Sequence, residues 1–445
     1  MDIKTTSLEP WIKRKITGDS SGALTRKEIE DYQLVKLQET LDWVNIKSRF
    51  YTRLFSGLNC KISSFQDMLK LPFTTSEDLK DNPLDFLCVS QNEISRIVTL
   101  QSSGTTGKPK RLFFTEADQE LTIDFFHHAM LTLVRMGDRV LILLPGDTPG
   151  SVGDLLKIGL ERAGVIGIVH GLVTDPEATL EQIKREKINI LVGIPTQVLS
   201  LARVKNSKVN LFALSLKSVL LSTDYVPKVI VQELEKAWGC KVFNHYGMTE
   251  MGLGVGIECK GFCGYHLREA DLYIEIIDPS SGLPVVDGQL GDVVFTSLTR
   301  TAMPLIRYRT GDMSRYIPGP CVCNTILKRL ELIKSRDRVY LTQADYLTMA
   351  DFDEVLFELE NVLDFQLTLT GGRQEQQLRL DVKLKGLVRL EIENLVLKAL
   401  DKIPVVRAAR QNGSLRVFPY FVSSSAVISQ KGTAKRQIQD KRGSV

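Results

Sequence analysis

The run Ser102-Ser103-Gly104-Thr105-Thr106-Gly107-Lys108-Pro109-Lys110 packs two glycines, four hydroxyls and two lysines into nine residues. Glycine lets a backbone approach an anion closely and adopt positive φ. The hydroxyls donate hydrogen bonds, and Lys108 adds a point charge. Together these are the parts of a phosphate-binding loop. The Walker pattern is excluded, because the four-residue gap and the Ser/Thr after lysine are missing and Pro109 follows Lys108. A second chemistry is suggested by Cys259-x3-Cys263-x2-His266 and Cys321-x-Cys323, about 55 residues apart. Thiolate and imidazole satisfy a tetrahedral, borderline-soft ion, so these clusters predict a structural Zn²⁺ site. Unligated buried thiols are the alternative. Seven cysteines, an odd number, make a disulfide framework a poor fit.

Those residues need elements to hold them. Residues 1–95 carry apolar residues at helical spacing, as in RKEIEDYQLVKLQETLDWVN at 26–45. From residue 96 short aliphatic runs (RIVTL, RVLILL, GVIGIVHG, INILVGI, KSVLLS) alternate with amphipathic stretches such as DPEATLEQIKREK and VPKVIVQELEKAWG. That alternation predicts right-handed βαβ units around a mainly parallel sheet. Between about 265 and 318 the texture changes to strands with turn signals, as in LYIEIIDPSSG and GDVVFTSL. After 335 an α+β pattern follows. The expected organisation is an α/β large N-terminal domain (1–334) with mainly parallel sheets and a small β unit, and a smaller, mobile α+β C-terminal domain (335–445).

Bulk properties exclude some functions. The chain has 445 residues, enough for two or three domains, with 43% hydrophobic and 25% charged residues. Its 57 basic and 53 acidic side chains leave a net charge of +4, no electrostatic case for nucleic acid binding. An uninterrupted apolar run of about 18 residues is missing, so no membrane span is expected. The N-terminal stretch has no apolar core like that of a secretory signal, which predicts a cytoplasmic protein. No Ser-His-Asp order or paired-carboxylate hydrolase signature emerges. His127 and His128 follow Phe125 and Phe126 in a predicted helix, where packing and pocket lining both fit.

SSGTTGKPK, followed in order by NHYGMTE (244–250) and YRTGD (308–312), resembles the adenylate-forming superfamily. IECKGFCGYHLREADLYIEIIDP and PGPCVC make the phenylacetate–CoA ligase-like branch the best match. The resemblance implies an enzyme that activates a carboxylic acid with ATP as an acyl-adenylate and transfers it to coenzyme A. Ser102, Ser103, Gly104, Thr105, Thr106, Gly107 and Lys108 would hold phosphates, Glu250 Mg²⁺, and Thr249 the α-phosphate. Tyr246 would lie against adenine, beside His245 and Gly247, and Asp312 would bind the ribose hydroxyls. Ser222, Thr223 and Asp224 stand where the family wraps adenine, without its usual glycine or alanine.

Arg336 would contact ribose or phosphate near the hinge, although Ser335-Arg336-Asp337-Arg338 departs from the family pattern there. Lys435 is the first choice for the lysine that meets the substrate carboxylate, with Lys431 the alternative. Branch relatives share a similar arrangement of metal ligands, favouring Cys259, His266, Cys321 and Cys323, with Cys263 a fifth candidate. The altered hinge keeps open a carrier-protein acceptor or release of an adenylated cofactor without CoA. A non-catalytic nucleotide-binding regulator is the third reading. A homodimer is common in the branch.

Overall fold

The computed structural model describes residues 4–19, 21–100, 108–204, 214–334, 338–372, 375–385, 389–422 and 436–442. Ser102, Ser103, Gly104, Thr105, Thr106, Gly107, Arg336, Lys431 and Lys435 lie outside the described residues. The chain divides into two compact units. The first holds the chain up to Asp138 together with Gly146–Val169 and Phe243–Ile333. The second holds Arg139–Pro145, His170–Val242 and the chain from Lys334 onward.

In the first unit the helix Arg26–Lys47 begins at a capping box, in which Thr25 and Glu28 satisfy each other's backbone N–H. It buries Ile29, Gln33, Leu37, Leu41 and Val44, one face at helical spacing. Strands Leu272–Ile277, Gly291–Ser297 and Tyr308–Ser314 form an antiparallel sheet against which Phe295, Tyr308, Tyr51 and Phe86 are buried. Arg307 and Glu275 pair inside this core, each at most 4% exposed, with bidentate geometry at 2.9 and 3.1 Å. Arg307 also donates to the Leu71 carbonyl, so this buried charge is fully engaged.

RIVTL does not join a parallel sheet: Arg96–Leu100 pairs antiparallel with Lys110–Phe114. Its alternating burial, with Ile97 52% exposed, is that of a two-stranded ribbon wetted on one face. Leu100 opposes Lys110, so the hairpin closes at the two ends of the glycine- and hydroxyl-rich run.

The second unit supplies the predicted parallel strands. Arg139–Leu143, Ile190–Gly193 and Ser218–Leu221 run parallel in register, Val140 beside Ile190 and Ile190 beside Ser218. Both faces are covered, which explains their continuous aliphatic runs. Helices Pro176–Arg185, Pro195–Ala202 and Lys228–Trp238 alternate with them, the first capped by Asp175. The C-terminal segment adds a four-stranded sheet in the order Leu415–Val422, Gln376–Leu384, Val362–Gly371, Ile438–Asp440. Its central pair is antiparallel and both outer pairs are parallel.

Arg203, 4% exposed, ties these two parts of the second unit together. It pairs with Glu233 and donates to the carbonyl oxygens of Phe357, at 2.6 Å, and Leu359, at 3.2 Å. The mixed α/β class expected from the sequence is the observed one.

Candidate active site

Glu250 sits in a single helical turn, Thr249–Met251, just after the strand Lys241–Tyr246. The backbone doubles back at Gly247: a Cβ there would lie 1.8 Å from the Leu253 carbonyl oxygen. Only glycine permits that crossing, which brings the Glu250 carboxylate inward to 2% exposure. Lys110 Nζ forms an ion pair with Glu250 Oε1 and donates to the Tyr308 hydroxyl at 3.3 Å. The Tyr308 hydroxyl in turn faces Glu250 Oε1 at 3.4 Å. The last lysine of the phosphate-loop run therefore neutralises a buried carboxylate.

Tyr308 and Asp312 occupy the strand Tyr308–Ser314, whose residues 308, 310, 312 and 314 all point into the core. Asp312 is fully buried and accepts a hydrogen bond from Tyr246 at 2.7 Å. Lys110, Glu250, Tyr308, Tyr246 and Asp312 thus belong to one connected region of the first unit. His245, on the opposite side of its strand from Tyr246, lies among Phe125 and Phe126, with ring centroids 5.9 and 6.1 Å away. The residue as a whole keeps some exposure, yet Nε2 is sealed from solvent. Burial pushes the imidazole down to about 4, so it is neutral at neutral pH.

A contributor that the sequence does not reveal is Arg300. Its guanidinium donates to the Glu250 carbonyl and to the Phe113 carbonyl, both at 2.9 Å, and lies 4.2 Å over the Phe114 ring. It fastens the turn carrying Glu250 to the strand that leaves the phosphate-loop run. Lys108, by contrast, is exposed, 3.5 Å from Asp81.

In the second unit, Ser222 donates its backbone N–H to the Gly193 carbonyl at 3.1 Å. Thr223 has φ +76°, a region costly for a β-branched residue. That explains why glycine is at home at such a turn and marks Thr223 as strained. Nearby charges include carboxylates around the partly buried Arg436, which pairs with Asp353 and lies 3.4 Å from Asp364. Burial pushes the Asp353 carboxyl up to about 7, with Arg436 pulling it back and Asp224 adding to the rise.

The cysteine clusters converge. Donor atoms of Cys259, His266, Cys321 and Cys323 all lie within 4.8 Å of one another, and all four residues are buried. Cys259 and Cys321 Sγ are 3.7 Å apart, and Cys323 Sγ is 3.5 Å from His266 Nε2. Two sulfurs each about 2.3 Å from one Zn²⁺ would be separated by nearly that much. Cys263 is half-buried but only 3.3 Å from Cys321. Hydrogen bonding from Cys259, and secondarily from His266, pulls the Cys323 thiol well down, while Cys259 is pushed up. Crowded thiols resist joint ionisation, and a cation would remove that penalty. The donor set fits zinc.

Residues 61–300 match the family model described as AMP-binding enzyme. The phenylacetate-coenzyme A ligase of Aromatoleum evansii is 32% identical over 72% of both chains. That of Thermus thermophilus is 29% identical over 81% of this chain and 82% of its own. In fold, the chain resembles 2-hydroxyisobutyryl-CoA ligase in its postadenylation state, with TM-score 0.78 and 21% identity, covering 96% of this chain and 92% of that one. The chain belongs to the AMP-binding enzyme family and is an AMP-forming, ATP-dependent ligase. Within it, the chain falls on the phenylacetate–CoA ligase-like branch of acid–CoA ligases. Among the described residues no helix is long and apolar enough to cross a membrane.

Proposed function

We propose that this protein activates a carboxylic acid, aryl in character, as an acyl-adenylate and then forms its thioester with coenzyme A. The acid's carboxylate attacks the α-phosphorus of ATP and pyrophosphate leaves. The thiol of CoA then attacks the acyl carbon and AMP leaves. Such chemistry needs positioning and charge neutralisation more than a protein base. The observation that carries this reading is the buried constellation of Lys110, Glu250, Tyr308, Tyr246 and Asp312, set in the three motifs that carry the resemblance.

In this reading Ser102 to Lys108 hold the β- and γ-phosphates, Thr249 meets the α-phosphate, and Asp312 takes the ribose hydroxyls. Tyr246 serves adenine, with Gly247 beside it; by the resemblance His245 lies next to the nucleotide, and Ser222, Thr223 and Asp224 are the adenine-wrapping turn. Glu250 offers a hard oxygen ligand suited to Mg²⁺, an ion that would screen phosphate charge. The Lys110 ammonium stands at that carboxylate now, so an arriving cation and Lys110 must share or exchange it. Arg336 would contact ribose or phosphate, and Lys435 would meet the acid's carboxylate, with Lys431 the alternative.

Residues 1–334 form the adenylate-forming domain and 335–445 a smaller one that rotates between half-reactions. Cys259, His266, Cys321 and Cys323 hold a structural Zn²⁺, which favours a reducing cytoplasm. The chain forms a homodimer, which light scattering on the purified protein tests. For the activity, AMP and acyl-CoA are measured from a panel of aryl and alkyl acids with ATP and CoA. Equal turnover of AMP and acyl-CoA with aryl acids supports the reading; AMP without acyl-CoA would move the acceptor elsewhere.

A further inference from the structure

We propose that Asp124, His127 and His128 form a second metal site, for a divalent transition ion, on the helix Glu116–Met130 of the first unit. One donor atom from each lies within 4.8 Å of the others. The positions i, i+3 and i+4 place all three on one helical face. Asp124 Oδ1 is 3.4 Å from His128 Nε2, and the two imidazoles stack with centroids 4.4 Å apart.

Two features separate this arrangement from a chance surface pair. The Trp11 indole donates to Asp124 Oδ2 at 2.7 Å, leaving Oδ1 to face His128. Trp11 also stacks on His128, centroids 5.4 Å apart and 23° from parallel, fixing the ring's orientation. Partners that hold a ligand's other atom are what tune a metal site. Two neighbouring cations are engaged elsewhere: Arg162 with Glu120, and Lys15 with Asp271 at 2.6 Å.

Two imidazoles and one carboxylate select Zn²⁺, Ni²⁺ or Cu²⁺ over Mg²⁺ and Ca²⁺. All three residues are partly exposed, so an ion can enter and water can complete its shell. The site is chemically distinct from the buried cysteine cluster and needs no nucleotide.

The test uses untagged full-length protein with its cysteine cluster left untouched, titrated with Ni²⁺ by calorimetry and with Cu²⁺ followed by electron paramagnetic resonance. One ion per chain with nitrogen hyperfine structure is expected. His127→Ala, which keeps the Trp11–Asp124–His128 contacts, should weaken binding by about tenfold or more, and Trp11→Phe by about tenfold. Circular dichroism confirms that both variants are folded. Unchanged Ni²⁺ affinity in His127→Ala, or a Cu²⁺ spectrum of sulfur ligation alone, would overturn the proposal.

Discussion

The Tyr246 hydroxyl donates to Asp312 Oδ2 across 2.7 Å, inside a core where Asp312 has no solvent exposure. A tyrosine from the NHYGMTE segment thereby orients the carboxylate of the YRTGD segment, 66 residues away. Tyr246→Phe keeps the ring and removes the donor. It should cost about 1–3 kcal/mol in urea unfolding, the penalty of under-satisfying a buried carboxylate. In steady-state kinetics the KM for ATP should rise several-fold while the KM for the acid stays put.

Arg300 bridges two backbone carbonyls, one from the Glu250 turn and one from the strand after the phosphate-loop run. Arg300→Lys keeps the charge but not the planar fork that reaches both. Its kcat should fall at least tenfold, with a raised Mg²⁺ requirement, because Glu250 loses its fixed place. A Mg²⁺ dependence identical to that of the unaltered protein would contradict this role.

Elemental analysis of protein dialysed against a weak chelator should return about one zinc per chain. Cys323→Ser should lose that metal and lower Tm, because the buried Cys323 thiol faces both Cys259 and His266. Less than a tenth of an equivalent in the unaltered protein would reject the site.

His245 gives a pH signature. Its folded value is near 4 against an ordinary 6.5, so the unfolded chain takes up the proton first. Its contribution to stability is fully present above about 6.5 and is lost as pH falls through about 4. Urea unfolding of His245→Gln from pH 7 to 4 should therefore show a flatter acid limb than the unaltered protein. Parallel limbs would show that the imidazole titrates normally.

Much of this site was legible because its signals are local. Gly247 and Glu250 lie four residues from Tyr246 or fewer, and the cysteines advertise themselves by type and spacing. Arg300 was not legible: its partners, Glu250 and Phe113, are 50 and 187 residues away and both contacts are to backbone, which carries no sequence signal. Arg203 and Arg436 are hidden by distance along the chain: Arg203 meets Phe357 and Leu359, and Arg436 pairs with Asp353, 83 residues away. RIVTL, a short aliphatic run, reads alike in a buried parallel strand and a ribbon; the exposed Ile97 decides it. The strand Ile438–Asp440 has one apolar residue among polar neighbours and gives no pattern to read, yet Ile438 pairs with Leu367.

In the proposed function these residues adenylate an acid before any thioester forms. ATP–pyrophosphate exchange, run with a panel of carboxylic acids and without CoA, measures that step alone. Acid-dependent exchange is predicted, abolished by Glu250→Gln and by Lys435→Ala, with CoA consumed once it is added. No exchange with any acid would contradict the account and leave a nucleotide-binding protein without turnover.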